Sequence, residues 1–549
     1  MAWWREARFG LFVHWGVYAV PAGEYHGKAV PHLAEWIMST ARIPRDEYRG
    51  MAASFNPRNY DPGQWVASAR KYGVRYMVVT AKHHDGFALF DSKVSDWNAV
   101  QATPAKRDLL GELAASCREA GMPLGFHYSQ AQDWYHPGGA SYGKPWDPSQ
   151  AGNFDAYLNN IAVPQIRELC DRYGPVACFF FDTPAKMTPD RARRIAAVLP
   201  ARTVINDRLG GMVSADYRCA ENKMPASEAP AADWELCRTM NGTWGFRKEP
   251  TTWIPARDLL RELVRTASMG GNYLLNVGPD ADGRFPQQAV ERLEVIGTWL
   301  AANGDSVYGT RATPLPKQSW NGASTLKPVK DGGWKLFLHV FGWPADGALR
   351  VAGLADRPVS VKLIGSDAAL VIDGGSGLWT IRELPAVPVH PDVSVVELSF
   401  ASMPGVTQTP AELSAGGTCL LAPGDASLSK GNIRLGRSPD DPSQAIRDWR
   451  GPDGTASWRI SVAEKTTLSV TLDVSAPSLA KELAGVVLVN DSEAGSFVIP
   501  ASKRPADNKP MAKSVTLPAG FSAFAVRLSG APSDPPVTLR SITLTPAHP

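Results

Sequence analysis

Short apolar runs alternate with amphipathic segments through the first half of the chain, and each run ends on residues capable of chemistry. Phe9-Gly10-Leu11-Phe12-Val13 ends at His14, Tyr76-Met77-Val78-Val79-Thr80 leads to Lys82-His83-His84, and Leu124-Gly125-Phe126-His127 reaches Tyr128. Cys178-Phe179-Phe180-Phe181 precedes Asp182, and Thr203-Val204-Ile205 precedes Asn206-Asp207-Arg208. Between these runs lie helix signals. Asp61 as N-cap, Pro62 at the first position and Gly73 as the stop predict one helix. Leu109, Leu110, Leu113 and Cys117 share one face of another, from about Asp108 to Ala120. Further helices are expected near 153–172, 190–198, 256–268 and 286–302, with a strand at Tyr273–Val277 between the last two. Strands that are apolar throughout are buried on both faces, so the sheet is parallel and covered by helices.

At least five strand–helix units precede residue 210. That count fits a TIM-like (β/α) barrel over residues 1–305, with its active site at the C-terminal strand ends. A doubly wound sheet is the alternative, but its first strand normally runs into a Gly-rich phosphate loop. Here the first strand runs into His14-Trp15-Gly16, so the barrel is preferred.

Beyond about residue 305 helical periodicity fades. Alternating runs such as Trp334–Phe341, punctuated by Gly and Pro, predict a β-sandwich over 306–405. A Pro-, Gly- and Ala-rich stretch around 402–424 introduces a second all-β block over 406–549, with strands at Ser457–Val462 and Thr467–Leu472. This last block reads as a carbohydrate-binding accessory module or as a structural appendage. Three domains suit 549 residues at roughly 100–200 residues each.

Lys plus Arg is 57 against 54 for Asp plus Glu, and a net charge of +3 gives no reason to expect nucleic acid. No apolar run reaches the roughly 18 residues of a membrane span. The six cysteines are scattered without a C-x-x-C pair, which argues against a structural zinc site or a disulfide framework. The opening residues show no signal peptide. The expectation is a periplasmic or secreted protein if an export signal has been trimmed, and a cytoplasmic one otherwise. Eighteen Trp and fourteen Tyr suit stacking on sugar rings as well as cores.

Two carboxylates can divide the cleavage of a glycosidic bond, one attacking the anomeric carbon and one protonating the departing oxygen. Asp182, held at a strand end, fits the nucleophile; the alternative is an N-cap for the next element. Glu221, Glu228 and Glu235 all lie between Arg208 and the next helix, and spacing alone does not choose an acid/base among them. His83 and His84 read either as metal ligands or as neutral imidazoles bonding sugar hydroxyls. Adjacent strand residues point to opposite faces and no H-x-x-x-H accompanies them, so the second reading is preferred. Asp280-Ala281-Asp282-Gly283 resembles the start of a calcium loop without its remaining ligands, and reads as a turn. No metal and no cofactor are expected.

Phe9-Gly10-Leu11-Phe12-Val13-His14-Trp15-Gly16, Glu35-Trp36, Lys82-His83-His84-Asp85-Gly86-Phe87 and Gly270-Gly271-Asn272-Tyr273-Leu274-Leu275-Asn276-Val277-Gly278-Pro279 occur in order before about residue 310. Together they resemble the α-L-fucosidases of glycoside hydrolase family 29. The resemblance implies a barrel followed by a β-sandwich, and metal-free retaining hydrolysis of α-L-fucosides through a covalent fucosyl-enzyme. It places Asp182 as nucleophile, and Phe180 where the family often has Trp. It makes His14, His83, His84, Glu35, Trp36 and Tyr128 sugar-hydroxyl ligands, and puts Arg208 near the reaction centre. Asp216-Tyr217-Arg218-Cys219-Ala220-Glu221 resembles the stretch that carries the acid/base in some members. Trp234-Glu235 with Thr243-Trp244-Gly245-Phe246 is the rival motif. Glu221 is preferred; Glu235 is then a substrate contact or a structural acid paired to a barrel cation. Trp36, Trp244 or Phe180 would meet the apolar face and C6 methyl of fucose. The implied partner is a fucosylated oligosaccharide or glycoconjugate. The rivals are a non-catalytic sugar-binding protein on a decayed barrel and a hydrolase of another glycoside, such as an α-galactoside.

Overall fold

The computed structural model describes residues 1–547 except 141, 143, 226–231, 249–251, 316–317, 331, 376, 408–410, 413–416, 430–432, 438–443, 453, 463 and 530–535. Eight strands build the N-terminal sheet: β1 (Phe9–Val13), β2 (Tyr76–Lys82), β3 (Leu124–Tyr128), β4 (Cys178–Phe181), β5 (Val204–Ile205), β6 (Arg218–Glu221), β7 (Trp234–Arg238) and β8 (Asn272–Val277). They lie in the order β5-β4-β3-β2-β1-β8-β7-β6, every pair parallel. The sheet curls until its two edges meet in one parallel bridge, Asn206 to Tyr217. This is the TIM-like barrel, closed at one point by a minimal contact.

The helices form where the caps predicted them. Asp61 accepts the Gln64 amide at the start of α1 (Pro62–Lys71), and Gly73 follows it at φ +82°. Asp108 accepts the Gly111 amide at the start of α2 (Leu109–Ala120), and Gly121 ends that helix in the left-handed region. The helix expected near 153–172 is broken. Phe154–Tyr157 runs into a π turn, Leu158–Ala162, before α3 (Val163–Tyr173). Pro164 has no N–H to return to the preceding turn, and the wider π turn accommodates that missing bond. Then come α4 (Pro189–Ala196), α5 (Ala256–Ser268) and α6 (Gln287–Asn303). Among the described residues, no helix separates β5 from β6 or β6 from β7, beyond the short turn Asp207–Leu209.

Every residue of β1, β2, β3, β4 and β8 is buried, as continuous apolar strands require. Inside the barrel the floor is Tyr76, Trp4, Tyr217 and Phe180. Gly10, the register partner of Tyr76, leaves the space its ring occupies; a Cβ on Gly10 would overlap that ring. Below His84 the Lys82 ammonium pairs with Asp133 at 3.0 Å, both side chains fully buried, and His136 bonds the same carboxylate at 2.9 Å. Removing Lys82 leaves a charge without its counter-ion. Lys82→Met is therefore expected to cost about 3–5 kcal/mol, read from urea unfolding at pH 7.

After the barrel, a four-stranded antiparallel sheet packs over α5 and α6. Phe337, Phe341, Val393 and Val395 join the barrel's core, while Arg261 donates to the Phe341 and Asp392 carbonyls. The other face of this sheet meets a three-stranded one through Leu336, Leu338, Trp379 and Leu398. A six-stranded and a seven-stranded sheet then enclose a separate core within 411–546. There Trp449, Trp458, Phe497 and Phe524 are all in the core. Among the described side chains of that block, no aromatic ring is exposed to stack on a sugar.

Candidate active site

The barrel's C-terminal end holds a cavity of about 250 Å³. It lies just under the roughly 300–1,000 Å³ typical of drug-sized pockets, which suits a single sugar ring. Its lining includes Phe12, His14, Leu33, Trp36, His83, His84, His127, Phe180, Asp182, Arg208, Glu221, Cys237 and Trp244. Most of the residues expected from the sequence converge here from segments far apart in the chain. Asp182 follows β4 directly. Its Oδ1 accepts the Thr183 amide at 2.8 Å, but it is not the cap of the next helix: Thr188 accepts the Arg191 amide at the start of α4. The alternative reading of Asp182 as an N-cap therefore fails.

One guanidinium joins the two candidate acids. Arg208 Nη1 donates to Asp182 Oδ1 at 2.9 Å and Nη2 to Glu221 Oε2 at 2.6 Å. His127 Nε2 is 3.4 Å, and His84 Nε2 3.6 Å, from Asp182 Oδ2. Burial works to raise the Asp182 carboxyl, but the His127 hydrogen bond and the Arg208 guanidinium outweigh it and hold it well below the usual carboxylate range. Asp182 is therefore ionised across the physiological range. The Gln130 side chain bonds the Asp182 amide at 3.0 Å and pins the strand end.

β2 ends at Lys82, so His83 and His84 leave the strand and both face the cavity. The opposite-face argument does not hold for them. Ring nitrogens of His14, His83 and His127 lie within 4.8 Å of one another. Burial pushes His14 and His83 well below the usual imidazole range, and His84 down to about 3, so all three are neutral at pH 7. Hydrogen bonds set two of the tautomers. Asn276 donates through Nδ2 to the Trp244 carbonyl, so its Oδ1 accepts from His14 Nδ1 at 2.7 Å. Ser129 donates to the Gln132 carbonyl and accepts from His84 Nδ1 at 2.6 Å. Both imidazoles thus turn an Nε2 lone pair toward the cavity, complementary to hydroxyl donors. Asn276→Ala frees His14 to invert its tautomer and leaves polar groups unpaired. It is expected to lower kcat/KM about 10–100-fold with unchanged far-UV circular dichroism.

Three expected ligands lie elsewhere. Tyr128 points out of the barrel, donating to Gln165 Oε1 at 2.7 Å under the Lys82 ammonium; strand alternation gives the inward place to His127 instead. Reading period two along β3 would have found His127. Glu35 is fully buried behind Trp244, where Oε2 accepts from Thr243 Oγ1 and from the Trp244 and Gly245 amides. Burial pushes it up to about 7. Its place in the structure is to hold the Trp244 loop. Glu235 is buried in the barrel floor and accepts from Tyr76, so its partner is a phenol and not a barrel cation. Burial raises it to about 7. Glu228 lies outside the described residues. Asp280 spends its carboxylate on the Asp282 and Arg284 amides, a turn as expected.

A family model described as α-L-fucosidase matches residues 1–305. The chain belongs to the α-L-fucosidase family. The tissue α-L-fucosidase of Mus musculus is 31% identical over 436 residues, covering 73% of this chain and 90% of that protein. An α-L-fucosidase structure from Vibrio sp. strain EJY3 matches 99% of this chain and 97% of its own, with a TM-score of 0.74 and 26% identity. A family 29 fucosidase from Bacteroides thetaiotaomicron, trapped as a covalent intermediate with 2-fluoro-fucosyl fluoride, matches 72% of this chain and 95% of its own at TM-score 0.65 and 28% identity. The enzyme is a glycoside hydrolase acting on fucosyl linkages. None of its described helices is long and apolar enough to cross a membrane.

Proposed function

We propose that the enzyme is an exo-acting, retaining α-L-fucosidase that removes terminal fucose from oligosaccharides or glycoconjugates. Asp182 attacks the anomeric carbon from the face opposite the aglycone and forms a fucosyl ester. Glu221 gives its proton to the departing glycosidic oxygen, then takes one from the water that cleaves the ester. The observation that carries this reading is the single Arg208 guanidinium spanning Asp182 and Glu221 across the cavity wall. The covalent intermediate trapped in the Bacteroides relative supports it. His14 and His84 accept hydrogen bonds from the sugar hydroxyls, while Phe12, Phe180, Trp36 and Trp244 offer apolar faces to the ring and its C6 methyl. The division into a barrel at 1–305 and β domains at 306–405 and 406–549 belongs to the same reading.

Proton NMR of the first turnovers on an aryl α-L-fucoside tests the stereochemistry. The first product is expected to be α-L-fucose, mutarotating afterwards. β-L-Fucose appearing first would mean inversion and a carboxylate gap of roughly 6.5–9.5 Å instead of about 5–5.5 Å. An aryl α-L-galactoside, which carries a hydroxymethyl group in place of the C6 methyl, should be hydrolysed far more slowly, since that group would meet the apolar wall.

A further inference from the structure

The pairing of β6 with β7 brings together two thiols that stand 18 residues apart in the chain: Cys219 Sγ and Cys237 Sγ are 3.7 Å from each other. Cys237 lines the active-site cavity, and Cys219 is half-buried beside it. Glu221, two residues beyond Cys219 on β6, is the register partner of Cys237. The sulfur separation decides what the pair suits. A disulfide needs about 2.05 Å, so the two strands would have to move. A tetrahedral ion with two Zn–S bonds of about 2.3 Å holds its sulfurs about 3.8 Å apart, which is the spacing already present.

We propose that Cys219 and Cys237 form a thiolate site for Zn²⁺ in the wall of the active-site cavity, and that zinc bound there inhibits the enzyme by engaging Glu221. The ion displaces the two thiol protons to solvent. Two thiolates cancel its charge, so the unit is neutral beside Arg208, whose guanidinium is within electrostatic reach of both sulfurs. The remaining coordination positions face the cavity. Water takes one, and the Glu221 carboxylate takes another by exchanging Arg208 Nη2 for the metal. The inhibition rests on Glu221 as acid/base; the metal site does not.

Titration of the full chain with Co²⁺ tests the site without reference to activity. The expected signals are a thiolate-to-cobalt charge-transfer band in the near ultraviolet and the intense visible bands of tetrahedral cobalt. Zn²⁺ should abolish both, and both should be missing in Cys219→Ser and Cys219→Ala. In parallel, Zn²⁺ should inhibit hydrolysis of an aryl α-L-fucoside, reversibly with EDTA. Cys219→Ser, unchanged in basal activity, should need at least about tenfold more zinc, since losing even an outer partner of a metal ligand costs that much. Wild-type protein without the charge-transfer band overturns the site. Equal zinc inhibition of wild type and Cys219→Ser also overturns it, and moves the metal to the other ligand groups of the cavity, His14, His83 and His127 or His83, His84 and Asp182. A cobalt band with full activity in zinc keeps the metal but overturns the engagement of Glu221. An inactive wild type with the band would count against the fucoside reading alone.

Discussion

Replacing Asp182 by Ala is expected to lower kcat/KM on an aryl α-L-fucoside by about 10⁴-fold or more, the scale seen when a nucleophile is removed. The loss is large because no neighbouring group can form the fucosyl ester in its place. His127 faces the same carboxylate, but as a hydrogen-bond partner that helps keep Asp182 ionised. Azide should restore turnover and give β-fucosyl azide, because the small anion enters from the face that Asp182 has vacated. An Asp182→Ala enzyme with near-normal activity would remove Asp182 from the mechanism. The folded state should survive the substitution, which relieves burial of a charge at the cost of its bond to Arg208.

Glu221→Ala is expected to act differently on different substrates. An aryl fucoside with an acidic phenol needs little protonation, so its glycosylation step should be nearly normal while hydrolysis of the ester slows. A natural glycoside, with a basic leaving group, should lose about 10²–10⁴-fold in kcat/KM. Azide should now yield α-fucosyl azide by attacking the fucosyl-Asp182 ester. Unchanged hydrolysis of a natural fucoside by Glu221→Ala would move the acid/base role to Glu228, since Glu235 is held in the barrel floor by Tyr76.

The placement of these residues was unevenly legible. Asp182 and Arg208 could be read from position, the first directly after an apolar strand and the second three residues beyond one. Glu221 rested on a resemblance, because β6 is only four residues long and follows no helix. Its strand character comes from pairing with β7, a contact outside its own sequence window. His127 and its neighbour Tyr128 point to opposite faces of β3, and the end of the apolar run draws attention to Tyr128 although His127 is the one that faces the cavity. Glu35 and Glu235 carry the right chemistry for a sugar site, yet the cavity does not reach either. Nothing in their local sequence separates an acid that faces a substrate from one that anchors a loop or a barrel floor.

The sequence by itself determined the repeating strand–helix order, the helix starts at Asp61 and Asp108, and the family, because propensity, capping and apolar runs act over a few residues. The tertiary structure alone decided that β5 and β6 meet through one bridge. It also decided that Arg208 spans two acids 39 residues apart in the chain, and that Cys219 meets Cys237. Those outcomes depend on how far the sheet curls and which side chains share its interior. They are set by packing between segments distant in sequence, which no local pattern records.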